Sequence, residues 1–254
     1  MLIFLWPGRA PKIIYYFFPK KSIDKFFYTC YNEIVIKKGN PKMKYIILDT
    51  ETANDIECPF VYDFGFAVID ETGKVFASYS FVNRDIFCDD EMMKSAYFAE
   101  KIPSYWNDIK NGNRILKSFY EIEKIFRRVC NEWNVNTFVA HNARFDYNAL
   151  NNTKRYLTKS KYRFFFPFAS RFIDTLKFSR SVLANDEEYT AYCKEHEYRT
   201  ANHQNRYTAE ILFRYLTGDE SFNEEHTGLA DCMIEKEIFK FCMDNLTAEN
   251  GYLW

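Results

Sequence analysis

Asp49 and Glu51 stand two residues apart at the end of the apolar run Tyr45-Ile46-Ile47-Leu48. That run reads as a buried strand, and side chains alternate across a strand, so both carboxylates point to one face. Two acids on one rigid edge repel unless a cation lies between them. Hard divalent cations with oxygen preferences, Mg²⁺ and Mn²⁺, are the natural partners. Alone, a D-x-E pair also fits a solvated strand end. Two further segments change that balance. His141-Asn142-Ala143-Arg144-Phe145-Asp146 follows a second apolar run, Thr137–Ala140, and places Asp146 in the first turn of a helix, where the helix dipole favours a carboxylate. His226-Thr227-Gly228-Leu229-Ala230-Asp231 places His226 just before a helix capped by Thr227, with Asp231 in its first turns near the apolar face. A carboxylate there needs a partner.

The elements that must position these groups are legible from Met43 onward. Tyr45–Asp49, Phe60–Ile69 and Lys74–Val82 read as three strands joined by short connections, an antiparallel meander, with Asp70-Glu71-Thr72-Gly73 as one turn. Ser118–Cys130 carries Phe119, Ile122, Ile125, Phe126 and Val129 on one helical stripe. Thr137–Ala140 and Phe172–Leu176 are short strands, and Phe145–Leu157 is helical. Tyr207–Leu216 is a helix stopped by Thr217-Gly218, and Thr227–Met243 is the last long helix. Strands first, then strands alternating with helices, predict an α/β fold with a mixed five-stranded sheet flanked by helices, the ribonuclease H-like architecture.

With the three acid-bearing segments in this order, the chain resembles the DEDDh, or DnaQ-like, exonuclease family over roughly Lys44 to Met243. Leu48-Asp49-Thr50-Glu51-Thr52 is similar to its first motif, His141-Asn142-x-x-Phe145-Asp146 to its second and His226-x-x-x-x-Asp231 to its third. Phe172–Leu176 is similar to the strand after the second motif. The resemblance implies two Mg²⁺ or Mn²⁺ ions held by Asp49, Glu51, Asp146 and Asp231, with His226 as general base. The implied partner is the 3′ end of a single-stranded nucleic acid, hydrolysed to nucleoside 5′-monophosphates. DNA is the first expectation. RNA is the rival, as in ribonuclease T or oligoribonuclease, and a binding subunit without catalysis is a third reading. A homodimer and association with a polymerase are also implied. Only a short end, finishing Gly251-Tyr252-Leu253-Trp254, follows the last helix, which favours a free-standing enzyme.

Substrate contacts are expected from Thr52, by its backbone at the terminal 3′ hydroxyl, and from Asn142 at a phosphate. Phe64 either stacks on a terminal base or alternates into the core. Between Lys154 and Arg180 there are eight Lys or Arg and one acid, Asp174, with Phe164, Phe165, Phe166 and Phe168 among them. Lys159, Lys161 and Arg163 are therefore expected to track a phosphate backbone. Asp174 reads as a helix cap, not a metal ligand. Gly65 allows a close approach of backbone or ligand. Ser181–Arg206, with His196 and His203, is either a specificity insertion or a helix with a surface loop.

Composition bounds the rest. The 254 residues are 47% hydrophobic and 19% aromatic, enough for a large core. Acids and bases nearly cancel, at 35 against 34, so net charge does not advertise a nucleic-acid binder. Residues 1–42 nevertheless hold eight Lys or Arg and two acids, which leaves 43–254 acidic. The first segment is aromatic, broken by Pro7, Pro11, Pro19 and Pro41, and without a period. It reads as a leader outside the natural product, which then starts at Met43, or as a basic arm. Lys37-Lys38-Gly39 is encodable by a purine run like a ribosome-binding site, and the prolines and absent periodicity favour the leader; mass spectrometry of the natural product decides. The exonuclease domain is then 43–254. Seven cysteines form no C-x-x-C pair, and Cys193 with His196 lacks a second half for zinc. Reduced thiols and no secretory signal or membrane span fit a cytoplasmic protein.

Overall fold

The computed structural model describes residues 43–247; the leader or arm at 1–42 and the end at 248–254 lie outside the described residues. The apolar runs form the strands β1 (Lys44–Ala53), β2 (Phe60–Asp70) and β3 (Val75–Asn83). Two one-turn helices follow, α1 (Arg84–Phe87) and α2 (Asp90–Met93), then α3 (Ile102–Asn111) and the short strand β4 (Ile115–Lys117). Next come α4 (Phe119–Glu132), β5 (Thr137–Ala140), α5 (Ala143–Thr158), β6 (Arg171–Asp174) and α6 (Thr175–Val182). The chain continues through α7 (Glu187–Glu195), α8 (Ala209–Thr217) and α9 (Gly228–Asp244).

The sheet order is β4-β3-β2-β1-β5-β6. β1, β2 and β3 form the antiparallel meander, while β4, β5 and β6 pair parallel to their neighbours. The sheet thus has six strands rather than five. The extra one is a three-residue edge piece, too short for an alternating pattern to show in the sequence. Phe172–Leu176 divides differently from the expectation: the strand ends at Asp174, whose side chain accepts from the amides of Leu176 and Lys177 and starts α6.

Alternation along β1 sorts the core into two layers. Ile46 and Leu48 pack with Phe64, Phe66, Phe126 and Phe138 under α4 and α5. Tyr45 and Ile47 pack with Ile69, Val139, Ile234, Ile238 and Phe239 under α9. Asp49 and Glu51 continue the second series, so the strand that anchors the core also aims both acids toward the start of α9. Helix ends are set by local chemistry. Ser118 and Glu121 make a reciprocal capping box at α4, and Gly218, left-handed at φ 71°, ends α8.

α9 reaches the sheet through two glycines. A methyl group on Gly65 would lie 2.1 Å from the Gly228 carbonyl carbon, and one on Gly228 would lie 2.6 Å from the Gly65 nitrogen. Backbone meets backbone there, which only residues without Cβ permit.

Candidate active site

β1, the first turn of α5 and the first turns of α9 converge on one cleft of about 980 Å³. Asp49 and Glu51 come from β1, Asp146 from α5, and Asp231 and Glu235 from α9; all five line it, together with His141, Asn142, Glu224 and His226. Glu51, His226 and Asp231 each offer a ligand atom, and these atoms lie within 4.8 Å of one another. Asp146 Oδ1 accepts from Thr50 Oγ1 at 2.8 Å, which fixes that carboxylate. Asp231 Oδ1 is buried with no hydrogen-bond partner.

The electrostatics of the cleft favour positive charge. Burial, and then the charge of Glu235, hold the Asp49 carboxyl well above its usual range. Burial and Asp231 push Glu51 up to about 9, with Lys101 opposing. Burial raises Asp146 to about 7 despite the Thr50 hydroxyl, and burial with Glu224 raises Asp231 to about 8. Clustered carboxyls with raised affinity for protons equally favour any other positive charge. An oxygen-rich donor set with an unpartnered Asp231 oxygen fits hard divalent cations, and the His226 imidazole lies beside it.

His226 takes a left-handed backbone (φ 47°) at the mouth of α9. Its ring stacks on Phe98 at 4.2 Å between centroids and 13° between planes, and its Nδ1 lies 3.8 Å from Glu224 Oε2. Burial, helped by Lys101, lowers its pKa and so favours the neutral imidazole. His141 is differently employed. Its Nε2 lies 2.8 Å from the Tyr207 carbonyl, which can only accept, so that nitrogen carries the proton; Nδ1 lies 3.0 Å from Thr175 Oγ1. Burial lowers its pKa to about 4.

Asp49, Glu51, Asp146, His226 and Asp231 are therefore brought together, and Asn142 lies exposed on the cleft wall. Asp174 caps α6 as expected and also accepts from the Asn142 amide at 3.1 Å. Thr52 stands beyond a bulge in β1, where its carbonyl accepts from Tyr97 N at 3.3 Å; it does not line the cleft. Phe64 is a correction. It is 0% exposed and meets Phe165 edge-on at 5.6 Å, so it serves the core and cannot stack on a base. Lys159, Lys161 and Arg163 lie elsewhere. They are exposed but follow the far end of α5, about 20 Å along the helix from Asp146, and do not line the cleft.

Glu235 and Lys101 escaped the sequence reading. Glu235, 3% exposed, accepts from the His141 amide at 3.2 Å and, with Glu224, adds to the acids of the cleft. Its signal was present, since Asp231 and Glu235 are four apart and share a helix face. Lys101 donates to the Glu225 carbonyl and opposes the charges of Glu51 and Asp231. No local pattern marks it.

No protein-family model matches the chain, and no curated protein matches it. Solved structures do resemble it. A 3′-exonuclease recognising the 3′ end of the histone mRNA stem-loop is 13% identical with a TM-score of 0.53, over 89% of this chain and 73% of that one. Exonuclease X in complex with 5′-overhanging duplex DNA is 16% identical with a TM-score of 0.46, over 82% and 96%. S. pombe Pop2p in its Mg²⁺- and Mn²⁺-bound form is 12% identical with a TM-score of 0.48, over 87% and 88%. The likeness to the first shows the fold: the α/β ribonuclease H-like arrangement expected from the order of elements.

Proposed function

We propose that the chain is a divalent-metal-dependent 3′→5′ exonuclease that hydrolyses single-stranded nucleic acid, DNA first, to nucleoside 5′-monophosphates. One observation carries the reading: Glu51 and the distant pair His226 and Asp231 offer ligand atoms within 4.8 Å of one another, beside buried Asp49 and Asp146.

Asp49, Glu51, Asp146 and Asp231 would hold two ions, Mg²⁺ or Mn²⁺. When bound, these supply water activation and charge neutralisation at the scissile phosphate. His226 accepts a proton from the attacking water, a role for which its neutral form is required. The Phe98 stack restrains the ring's orientation for that transfer. The water oxygen bonds to phosphorus, the bond from phosphorus to the 3′ oxygen breaks, and the released nucleotide keeps its 5′-phosphate. Thr50 holds the Asp146 carboxylate throughout. Asn142, exposed beside Asp146, hydrogen-bonds a phosphate oxygen.

RNA is the second reading. It is kept by the structural neighbour with a TM-score of 0.53, whose described target is an mRNA stem-loop. The test is digestion of 3′- and 5′-labelled single strands of DNA and RNA with Mg²⁺ or Mn²⁺, beside Asp49→Asn. The expected result is stepwise shortening from the 3′ end, lost with EDTA and in the variant. Absence of metal-dependent cleavage of both polymers would refute the proposal, and the ratio of rates separates DNA from RNA.

A further inference from the structure

The wall of the cleft facing away from the motif acids comes from the connection between α6 and α8. Arg180, near the end of α6, and Arg206, just before α8, are exposed and line the same cleft as the carboxylates. Neither makes an ion pair among the described residues. The Arg180 guanidinium lies 5.7 Å from the Tyr207 ring, next to Arg206 in the chain.

This wall has a defined shape. Arg199 and Asn205 form an antiparallel bridge, closed by hydrogen bonds from Thr200 N to Gln204 O and from Arg206 N to Tyr198 O, at 2.8 and 3.0 Å. His203 turns the tip in a left-handed conformation (φ 57°), and Arg199 Nη2 donates to its carbonyl. The Tyr189 hydroxyl donates to the Arg206 carbonyl, and Asn205 Nδ2 donates to Thr190 Oγ1 at 3.1 Å, so α7 pins the hairpin. Arg199 is thereby occupied in shaping the turn, while Arg180 and Arg206 stay available to a ligand.

Cations and acids share one cleft without neutralising each other. A ligand that meets both must present negative charge to the arginines and reach the acids through metal ions. The chemistry of a 3′ terminus then fixes where its charges lie. The terminal nucleotide carries the scissile phosphate on its 5′ side and only a hydroxyl on its 3′ side. Every additional phosphate lies upstream.

We infer that Arg180 and Arg206 bind the phosphodiesters on the 5′ side of the scissile bond, making the cleft selective for an oligonucleotide over a single phosphodiester. The inference rests on the exonuclease reading of the acids. Guanidinium groups suit the task because they stay charged and offer forked donors to phosphate.

The test compares wild type with Arg180→Gln/Arg206→Gln and with Lys110→Gln/Lys124→Gln, which removes equal charge outside the cleft. Binding of fluorescent (dT)₈ is followed by anisotropy in Ca²⁺ over a salt series. Turnover of (dT)₈ and of the p-nitrophenyl ester of thymidine 5′-monophosphate is followed in Mn²⁺. The arginine variant is expected to raise KM for (dT)₈ roughly tenfold and to keep kcat. Its salt slope should fall by about 1.4, at ~0.7 for each single-strand phosphate that is no longer neutralised. Its rate on the ester, which has no upstream phosphate, should be unchanged, as should everything in the lysine variant. Unchanged (dT)₈ affinity and slope in the arginine variant overturn the inference. So does an equal effect in the lysine variant, or a parallel loss on the ester. Failure of the exonuclease reading shows separately, as absent metal-dependent turnover of both substrates by wild type, while the anisotropy series still reports whether the arginines hold phosphate.

Discussion

Six carboxyls in one cleft set a conflict between stability and use. Burial and mutual repulsion act on Asp49, with Glu235, Asp146, Glu51 and Asp231 all adding to its load. Replacing it with the neutral isostere should relieve that load. Asp49→Asn is expected to stabilise the metal-free protein by on the order of 1 kcal/mol and to abolish cleavage, as functional sites commonly trade stability for activity. Urea denaturation in EDTA beside an activity assay checks both halves. His226→Ala should lower kcat about 10²- to 10⁴-fold, the range of a general base, without comparable loss of Mn²⁺ affinity by titration calorimetry. His141 provides a pH test on the wall of the cleft. Its pKa is lowered from 6.5 to about 4 by burial, with Asp174 and Arg180 the charged groups acting on it. The folded state therefore resists protonation that the unfolded state accepts. Its contribution is fully present above pH 6.5 and is lost as pH falls toward 4, by up to about 2 kcal/mol at pH 5. His141→Gln should flatten the wild-type decline in stability between pH 7 and pH 5; an identical slope in the variant would contradict this. At this scale the motif acids were legible because each sits in a recognisable local setting. Phe64 was not, because alternation puts it on one face of β2 without saying whether that face meets solvent or α4. Arg180 and Arg206 were not, because only the folded connection between α6 and α8 brings them to the acids.

At the scale of elements, the contact between β2 and α9 decides whether those acids meet. Gly65→Ala would drive a methyl group into the Gly228 backbone and lift the start of α9 from β1. It should cost about 3 kcal/mol, the upper part of the range for overpacking, and remove activity through displaced Asp231 and His226. Thermal melting and turnover measured together test this; a stable, active variant would sink the account. Behind the same junction, buried Asp63 Oδ2 accepts from Tyr105 Oη at 2.6 Å, Arg114 Nη1 at 3.0 Å and Gly228 N at 3.1 Å. Arg114→Met leaves that carboxylate without its cation and should cost about 3 kcal/mol in urea unfolding. A loss below ~1 kcal/mol would show that Tyr105 and Gly228 suffice to satisfy it. Element types were legible wherever a period ran for several residues, as in β1, β2, α4 and α9. Residues 84–93 and β4 were opaque because α1 and α2 have four residues each and β4 has three, so neither period repeats. Gly65 was legible as a close approach, but its partner Gly228 lies in another motif and only the fold pairs them.

For the molecule as a whole, metal binding and folding are expected to be linked. The acids converge only when β1, α5 and α9 are docked, so Mn²⁺ should bind the folded chain and not the unfolded one. At a hundredfold excess over its dissociation constant it should add about 2.7 kcal/mol of stability, seen as a rise in melting temperature absent from Asp49→Asn. The site is also divided along the chain: residues 49 and 51, residue 146, and residues 226 to 235. A ribosome makes them in that order. A nascent chain that has already folded its meander and paired β1 with β5 carries three of the acids but lacks the imidazole and the α9 carboxylates. Until α9 emerges and seats Gly228 against Gly65, the growing polypeptide carries an incomplete acid cluster.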